Sequence, residues 1–220
     1  MSQDIAYTAP VVPTIFTALS APAEDVSNPK IYGKYTNPFV LPHNAVIQLV
    51  LNNDDTGKHP FHLHGHAFQV ISRSWDYALH FNGTYSESGD TIPSIPMRRD
   101  TLLVHPMSNF VVRFRADNPG IWLFHCHIEW HMDSGLAATM IEAPAVLQNQ
   151  TTIPEDFMNA CSVGGIQTSG NAAGNTEDFL DLTGQNKMVP WPAPGFTTKG
   201  YVAMVFSCIA GFLGVATIAW

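Results

Sequence analysis

The sequence predicts an all-β domain of the sandwich or barrel type, followed by an irregular tail and a single transmembrane helix. Short apolar or alternating runs recur between turn-forming stretches through the first part of the chain. A segment rich in Asn, Gly, Thr and Pro comes next, and the C-terminal stretch carries no charge. We therefore assign residues 1–144 to the β-domain, 145–200 to a tail or linker, and 201–220 to the membrane span.

The strands of the β-domain are predicted from five short segments. They are separated by stretches that favour turns, such as NNDDTGKHP, NGTYSESGD and DNPG. Strands this short and this closely spaced are typical of a sandwich or barrel. After Cys126 the stretch IEWHMDS predicts one short helix. The five strand segments are AVIQLVLN, HAFQVIS, DTLLVH, NFVVRFRA and GLAATMIEA.

The last predicted element, YVAMVFSCIAGFLGVATIAW, is long enough to cross a bilayer as a helix. A buried core helix is the alternative, but it fits poorly because the run has no polar face. The N-terminal sequence MSQDIAYTAP has neither a basic start nor an apolar run, so we expect no signal peptide. Two glycosylation sequons, at Asn82 and Asn149, predict a glycoprotein.

The composition argues against several classes of protein. Of the 220 residues, 45% are hydrophobic and 13% are charged, which is unlike a disordered polymer. A formal net charge of −8, with no cluster of Lys and Arg in the sequence, argues against a nucleic-acid partner. Three scattered cysteines do not make a disulfide framework. For Cys161 we consider a pairing with a cysteine outside this chain, or a free thiol.

Seven of the ten histidines fall in two short windows, HPFHLHGH and HCHIEWH. Side chains alternate along a strand, so His125 and His127 would share one face while Cys126 points to the other. The pair His62 and His64 repeats the same-face spacing. A thiolate with two imidazoles suits copper. One short segment can therefore serve two metal sites on its opposite sides.

These residues carry a family resemblance. HPFHLHGH followed by HCHIEWHMDSGL resembles the C-terminal copper-binding domain of multicopper oxidases. The stretches YTAPVVPT, MRRDTLLV and FRADNPGIWLFHCHIEWH, the Asn-rich tail and the terminal span are most similar to fungal membrane-anchored iron-transport ferroxidases. The resemblance implies a cupredoxin-like Greek-key β-sandwich or barrel. It also implies that the chain corresponds to the last third of such an oxidase.

The resemblance assigns the copper ligands residue by residue. In its pattern His59, Cys126 and His131 bind the type 1 copper, which accepts electrons from the reductant. The fourth, axial position of that site falls on Leu136, which cannot coordinate, so the copper would have three ligands and a raised potential. His62 matches a type 2 ligand, and type 3 ligands are matched by His64, His125 and His127. His66 is not a ligand in this pattern and is expected to support the site or to pack.

Two acidic residues match functional positions of the family. Glu129 matches a carboxylic acid that supplies protons for O–O cleavage; a solvated carboxylate is the alternative. Asp55 lies four residues before His59 and matches an acidic residue of the iron site. Its neighbour Asp54 illustrates the alternative, because acidic loop residues are usually only solvated.

The implied function is a multicopper ferroxidase for iron uptake. Fe(II) would be oxidised at the type 1 copper, and dioxygen would be reduced to water by four electrons at a trinuclear cluster. The family cluster needs eight histidines; this chain supplies four, and N-terminal cupredoxin domains or a second copy of the chain would supply the rest. The expected location is the plasma membrane, single-pass, with the copper domain extracellular and an iron permease as partner. The alternatives are a laccase-type phenol oxidase and a non-catalytic fragment that keeps only the type 1 site.

Overall fold

The computed structural model describes residues 5–81, 83, 93–190 and 195–219. It divides the chain into two compact units, Met1–Met188 and Val189–Trp220. Across the described residues nine strands form the first unit's two sheets. The strands are β1 (Pro38–Leu41), β2 (Val46–Asn52), β3 (His59–Leu63), β4 (Phe68–Arg73), β5 (Arg98–Arg99), β6 (Thr101–Val104), β7 (Asn109–Arg115), β8 (Gly120–Cys126) and β9 (Ala137–Glu142).

Five α-helices accompany these strands in the described part of the chain. They are α1 (Thr14–Ser20), α2 (Glu129–Asp133), α3 (Pro144–Gln150), α4 (Glu155–Val163) and α5 (Thr198–Ala219). The predicted strand segments all contain strands, and α2 confirms the short helix predicted after Cys126. Helix α1 was not predicted; it is short, and it is followed by the extended cap residue Ala21 and then by Pro22.

The two sheets pack face to face as a sandwich. One sheet has the order β1–β9–β8–β3–β6, with β1 and β9 parallel, and the other has the order β2–β7–β4–β5. A single apolar cluster draws Phe61 and Phe124 from the first sheet and Phe110 from the second. The ring centroids of Phe61 and Phe110 lie 6.5 Å apart, across the sandwich. This arrangement confirms the predicted all-β fold.

Strand β9 is buried at all six positions because both of its faces are covered. Ala138 and Met140 belong to the apolar cluster inside the sandwich. Ile141 belongs to a second apolar cluster, on the outer face, with side chains from α1, α3 and the 3₁₀ turn Pro29–Tyr32. The segments that precede and follow the strands in the chain therefore close the outer side of the first sheet.

The segment after Pro144, predicted as an irregular tail, contains α3 and α4 and then returns to the β-domain. The buried side chain of Asn171 donates to the carbonyls of Asp178, Phe179 and Asp181. The ring of Phe179 packs in the second apolar cluster. Asparagine can replace secondary structure by bonding to nearby backbone groups, so an Asn-rich stretch can be irregular and still packed.

Helix α5 is long and apolar enough, by length and composition, to cross a membrane. It begins three residues before the predicted start at Tyr201. Of the two sequons, Asn82 lies outside the described residues, and Asn149 is exposed near the end of α3. Glycosylation at both positions stays a prediction.

Candidate metal centre

The pairing of β3 with β8 separates the histidine-rich windows into two groups. Phe61 lies opposite Cys126, and His62 lies opposite His125. Phe61 and Cys126 point into the apolar core of the sandwich, whereas His62 and His125 are on the other face. Alternation along two neighbouring strands therefore creates two clusters of metal-binding side chains, one on each face of the sheet.

The first group, which we call the three-ligand cluster, consists of His59, Cys126 and His131. Their ligand atoms all lie within 4.8 Å of one another. The two Nδ1 atoms are 3.1 Å apart, and Cys126 Sγ is 3.8 Å from Nδ1 of His59 and 3.6 Å from Nδ1 of His131. A metal bound in the plane of its three ligands has bonds of about 2.0 Å to nitrogen and about 2.3 Å to sulfur. Such a site needs ~3.5 Å between the two nitrogens and ~3.7 Å between each nitrogen and the sulfur. The donors therefore fit one metal ion, and their chemistry suits copper.

Backbone hydrogen bonds hold this cluster together. The N–H of Cys126 donates to the carbonyl of Leu136 at 3.0 Å, and the N–H of Leu136 donates to the carbonyl of His131 at 2.9 Å. The Leu136 side chain packs against the sandwich core. Burial raises the pKa of the Cys126 thiol, and a hydrogen bond from the Ile128 N–H opposes that shift. Because the thiolate is the form that binds a metal, metal binding at this sulfur releases a proton.

Asp55 contacts the three-ligand cluster from outside. Its Oδ2 lies 2.8 Å from Nε2 of His59, the ring atom opposite the cluster. The His59 side chain is 8% exposed, whereas that of Asp55 is 59% exposed. The hydrogen bond with His59, followed by one from the Gly57 N–H, lowers the pKa of the Asp55 carboxyl. When Nδ1 of His59 binds a metal, Nε2 carries the proton and donates a hydrogen bond to the Asp55 carboxylate. This hydrogen bond fixes the orientation of the ring.

The second group, the imidazole cluster, consists of His62, His64, His125 and His127. The centroids of neighbouring rings lie 4.8 to 5.9 Å apart. Nε2 of His64 lies 2.9 Å from Nε2 of His125, while Nδ1 of His125 lies 2.9 Å from the carbonyl oxygen of Cys126. Nδ1 of His62 lies 3.0 Å from both the Asp100 carbonyl and Thr101 Oγ1. These contacts occupy the Nδ1 atoms of His62 and His125 and leave Nε2 as the available ligand.

Within the imidazole cluster, the surroundings of His64 and His125 favour neutral rings. Burial lowers the pKa of His64 and of His125, and the neighbouring imidazoles lower both further. A neutral ring nitrogen is the form that binds a metal. Among the residues that the structure describes, only the three-ligand cluster brings three ligand atoms around one point. The imidazole cluster is open, because His64 and His127 are exposed.

Both clusters lie in the part of the chain that matches a known protein family. A family model of multicopper oxidases matches residues 7–146, which include every residue of both clusters. The chain belongs to the multicopper oxidase family.

Similar proteins within this family are named for iron transport. The iron transport multicopper oxidase fetC of Epichloe festucae is 55% identical over 218 residues, which is 99% of this chain and 35% of that protein. The iron transport multicopper oxidase FET3 of Saccharomyces cerevisiae is 49% identical, over 98% of this chain and 35% of its own length. The chain thus spans about a third of the length of these curated relatives.

Solved structures of multicopper oxidases share the fold. The crystal structure of Fet3p, described as a multicopper oxidase that functions in iron import, matches with a TM-score of 0.76 and 46% identity. That match covers 85% of this chain and 36% of Fet3p. The laccase from Botrytis aclada matches with a TM-score of 0.51 and 26% identity, over 68% of this chain and 28% of the laccase.

Other residues singled out in the sequence lie around the clusters. Glu129 is exposed at the first position of α2, between His127 and His131. His66 lies outside both clusters; its Nε2 is 2.6 Å from Oε2 of Glu142, whose side chain is fully buried. Glu142 was not among the predicted site residues, although a carboxylate within the apolar run TMIEA is a signal of a buried partner.

Proposed function

We propose that this chain is the copper-binding C-terminal part of a multicopper ferroxidase for iron uptake. The observation that carries the proposal is the position of His59. Its Nδ1 belongs to the three-ligand cluster, and its Nε2 is 2.8 Å from an exposed carboxylate. A carboxylate oxygen at the surface suits Fe(II). The His59 ring would then lie between the iron at this carboxylate and the copper at the three-ligand cluster. The names of the similar proteins agree with this substrate.

The copper ligands follow from the two clusters. His59, Cys126 and His131 would hold the type 1 copper. His62 would bind the type 2 copper, while type 3 copper would be bound by His64, His125 and His127. When bound, these coppers would supply one-electron oxidation of the reductant and four-electron reduction of dioxygen to water. Cys126 lies in the chain directly between His125 and His127, so its backbone connects the two clusters.

The imidazole cluster supplies half of the eight histidines that the family cluster requires. N-terminal cupredoxin domains would supply the others, and the similar proteins are long enough to contain such domains. His64 and His127 are exposed, which supports the proposal that ligands from outside this chain would complete the cluster beside them. Glu129 stands at the same end of β8, with its carboxyl exposed, and would deliver protons to the reduced oxygen.

A laccase-type oxidation of phenols is the second candidate. Trp130 supports it, because its side chain is 72% exposed and its ring centroid is 6.0 Å from that of His131. An aromatic surface beside a copper ligand can hold a phenol ring. Asp55 favours iron oxidation over phenol oxidation, because a carboxylate beside the copper ligand His59 attracts a metal ion more strongly than a neutral phenol. The third candidate, a non-catalytic fragment, would use only the three-ligand cluster.

The location in the cell is also proposed. Helix α5 would anchor the chain in the plasma membrane as a single span, with the copper domain extracellular and an iron permease as its partner in the membrane. Exposed Asn149 gives a direct test, because only an extracellular domain acquires its glycan. Loss of that glycan in Asn149→Gln, seen as a mobility shift, would support this orientation.

The proposed substrate is tested on the full chain in detergent, loaded with copper and kept under argon. Stopped-flow absorption follows the bleaching of the blue copper by Fe(II) and, separately, by hydroquinone. Each Fe(II) gives one electron to one copper, so the test does not need the oxygen-reducing cluster. Asp55→Ala should slow the reaction with Fe(II) about tenfold, the equivalent of one charge-assisted hydrogen bond, and spare hydroquinone. An equal loss with both reductants would exclude an iron-specific role.

A further inference from the structure

Hydrogen bonds fix the backbone of Asp55, in the loop between β2 and β3, at both its N–H and its carbonyl. Asn53 is buried, and its side-chain oxygen accepts the Asp55 N–H at 3.1 Å. Its amide donates to the carbonyls of Gly57 at 2.9 Å and His105 at 2.8 Å. The carbonyl of Asp55 accepts the N–H of Met107 at 2.9 Å. The backbone is thereby fixed, and the position of the carboxylate depends on the rotation of the Asp55 side chain alone.

Gly57 borders the space in which that carboxylate lies. A Cβ at Gly57 would be 2.9 Å from Oδ2 of Asp55, closer than a carbon and an oxygen normally approach, and 3.5 Å from Nε2 of His59. Gly57 is not in the left-handed backbone region, so an alanine would fit its backbone. The atom that an added methyl would meet is the end of a rotatable side chain. The collision would therefore be relieved by turning the Asp55 carboxylate away from His59, toward solvent.

We propose that Gly57 is a positioning residue: the absence of a side chain there admits the Asp55 carboxylate to Nε2 of His59. The placement of the carboxylate is a geometric inference from the loop itself. Its consequence for iron rests on the proposed function. A carboxylate turned toward solvent still attracts cations, but it no longer joins Fe(II) to the imidazole of the copper ligand. Gly57 would thus determine whether an Fe(II) bound at Asp55 has a short route for its electron.

The test compares Gly57→Ala, Asp55→Ala and the double variant in the copper-loaded full chain. Gly57→Ala should slow bleaching by Fe(II) about tenfold and leave bleaching by hydroquinone unchanged. The double variant should react no more slowly with Fe(II) than Asp55→Ala does, because the added methyl acts through the carboxylate. Gly211→Ala is the matched control, since a Cβ at Gly211 meets nothing within 4 Å. It should change neither rate.

A second measurement does not depend on the reaction. In the diamagnetic Cu(I) protein, NMR reports the exchange of the His59 Nε2 proton with water. That exchange should accelerate several-fold in Gly57→Ala and to a similar extent in Asp55→Ala, with the melting temperature of Gly57→Ala close to that of the wild type. This measurement would detect a displaced carboxylate even if Asp55 had no role in iron oxidation.

The outcomes separate the two proposals. If Asp55→Ala does not change the preference for Fe(II), the iron role fails, and the exchange of the His59 proton alone decides the role of Gly57. Unchanged exchange in Gly57→Ala overturns the positioning role. A double variant slower than Asp55→Ala also overturns it, because the methyl would then act on His59 directly. A large loss of stability or of copper in Gly57→Ala would overturn it as well, because the loop, and not the Asp55 side chain, would then absorb the collision.

Discussion

The buried pair of His66 and Glu142 predicts a large effect from a single substitution. Glu142 Oε2 is 2.6 Å from Nε2 of His66, and Oε1 accepts the backbone N–H of Asn118 at 2.6 Å. The side chain of Glu142 is 0% exposed and that of His66 is 6% exposed. Glu142→Leu would leave the His66 ring without a partner in a dry site. Breaking such a pair costs about 3–5 kcal/mol, and we expect the lower value because Asn118 is exposed and water can replace its bond.

The expected loss of about 3 kcal/mol corresponds to a melting temperature lower by roughly 6–12 °C for a unit of this size. Thermal and urea unfolding of the metal-free full chain, followed by near-ultraviolet circular dichroism, measure both quantities. Glu142→Gln is the matched control, because an amide can keep both hydrogen bonds, and it should lose about 1 kcal/mol. A loss below about 1 kcal/mol in Glu142→Leu would refute the reasoning, since the pair would then not be closed from water.

Two further predictions concern the outer apolar cluster and the three-ligand cluster. Tyr32→Phe removes the 2.6 Å hydrogen bond from the buried Tyr32 hydroxyl to the Val26 carbonyl and should lower the free energy of unfolding by about 1–2 kcal/mol. Burial also raises the pKa of Tyr32 above its ordinary value of 10.0. Its contribution to stability is therefore complete below pH 10 and declines at higher pH. The difference in the free energy of unfolding between wild type and variant, measured with urea, should become smaller above about pH 10. Cys126→Ser should abolish the blue absorption of the copper-loaded chain; a retained blue band would show that this sulfur is not a ligand.

The arrangement of the candidate site could largely be predicted from strand alternation. Because neighbouring side chains on a strand point to opposite faces, the run His125–His127 predicts one histidine face and one cysteine face. The structure brings the Cys126 sulfur to His59 and His131, and it brings the His125 ring to His62 and His64. The exposure of His64 and His127 could not be predicted, because it depends on how the turn after β3 and the end of β8 meet the surface.

Other elements depended on contacts that are distant in sequence. Helices α1 and α3 are only seven residues long, too short for a clear helical period, and they gain their burial from the outer face of β9. The composition of the segment around Asn171 correctly predicted an irregular backbone. It did not predict that three backbone carbonyls of this segment would accept hydrogen bonds from the buried Asn171 side chain. Local patterns describe a segment's own preferences, whereas these contacts form only after the sandwich has provided a surface.

By itself, the sequence determined the two histidine windows, five of the short strands, and an apolar C-terminal helix. Each of these follows from local chemistry: ligand type, alternation and unbroken hydrophobicity. Only the tertiary structure decided that Asp55 reaches the outer nitrogen of His59, and that Gly57 leaves room for it. A spacing of four residues predicts a side-chain contact only within a helix. Asp55 lies in a loop, however, and His59 is the first residue of β3. The physical reason is that a loop's shape is set by the groups that hold it, here the buried amide of Asn53 bonding across to the β6–β7 turn.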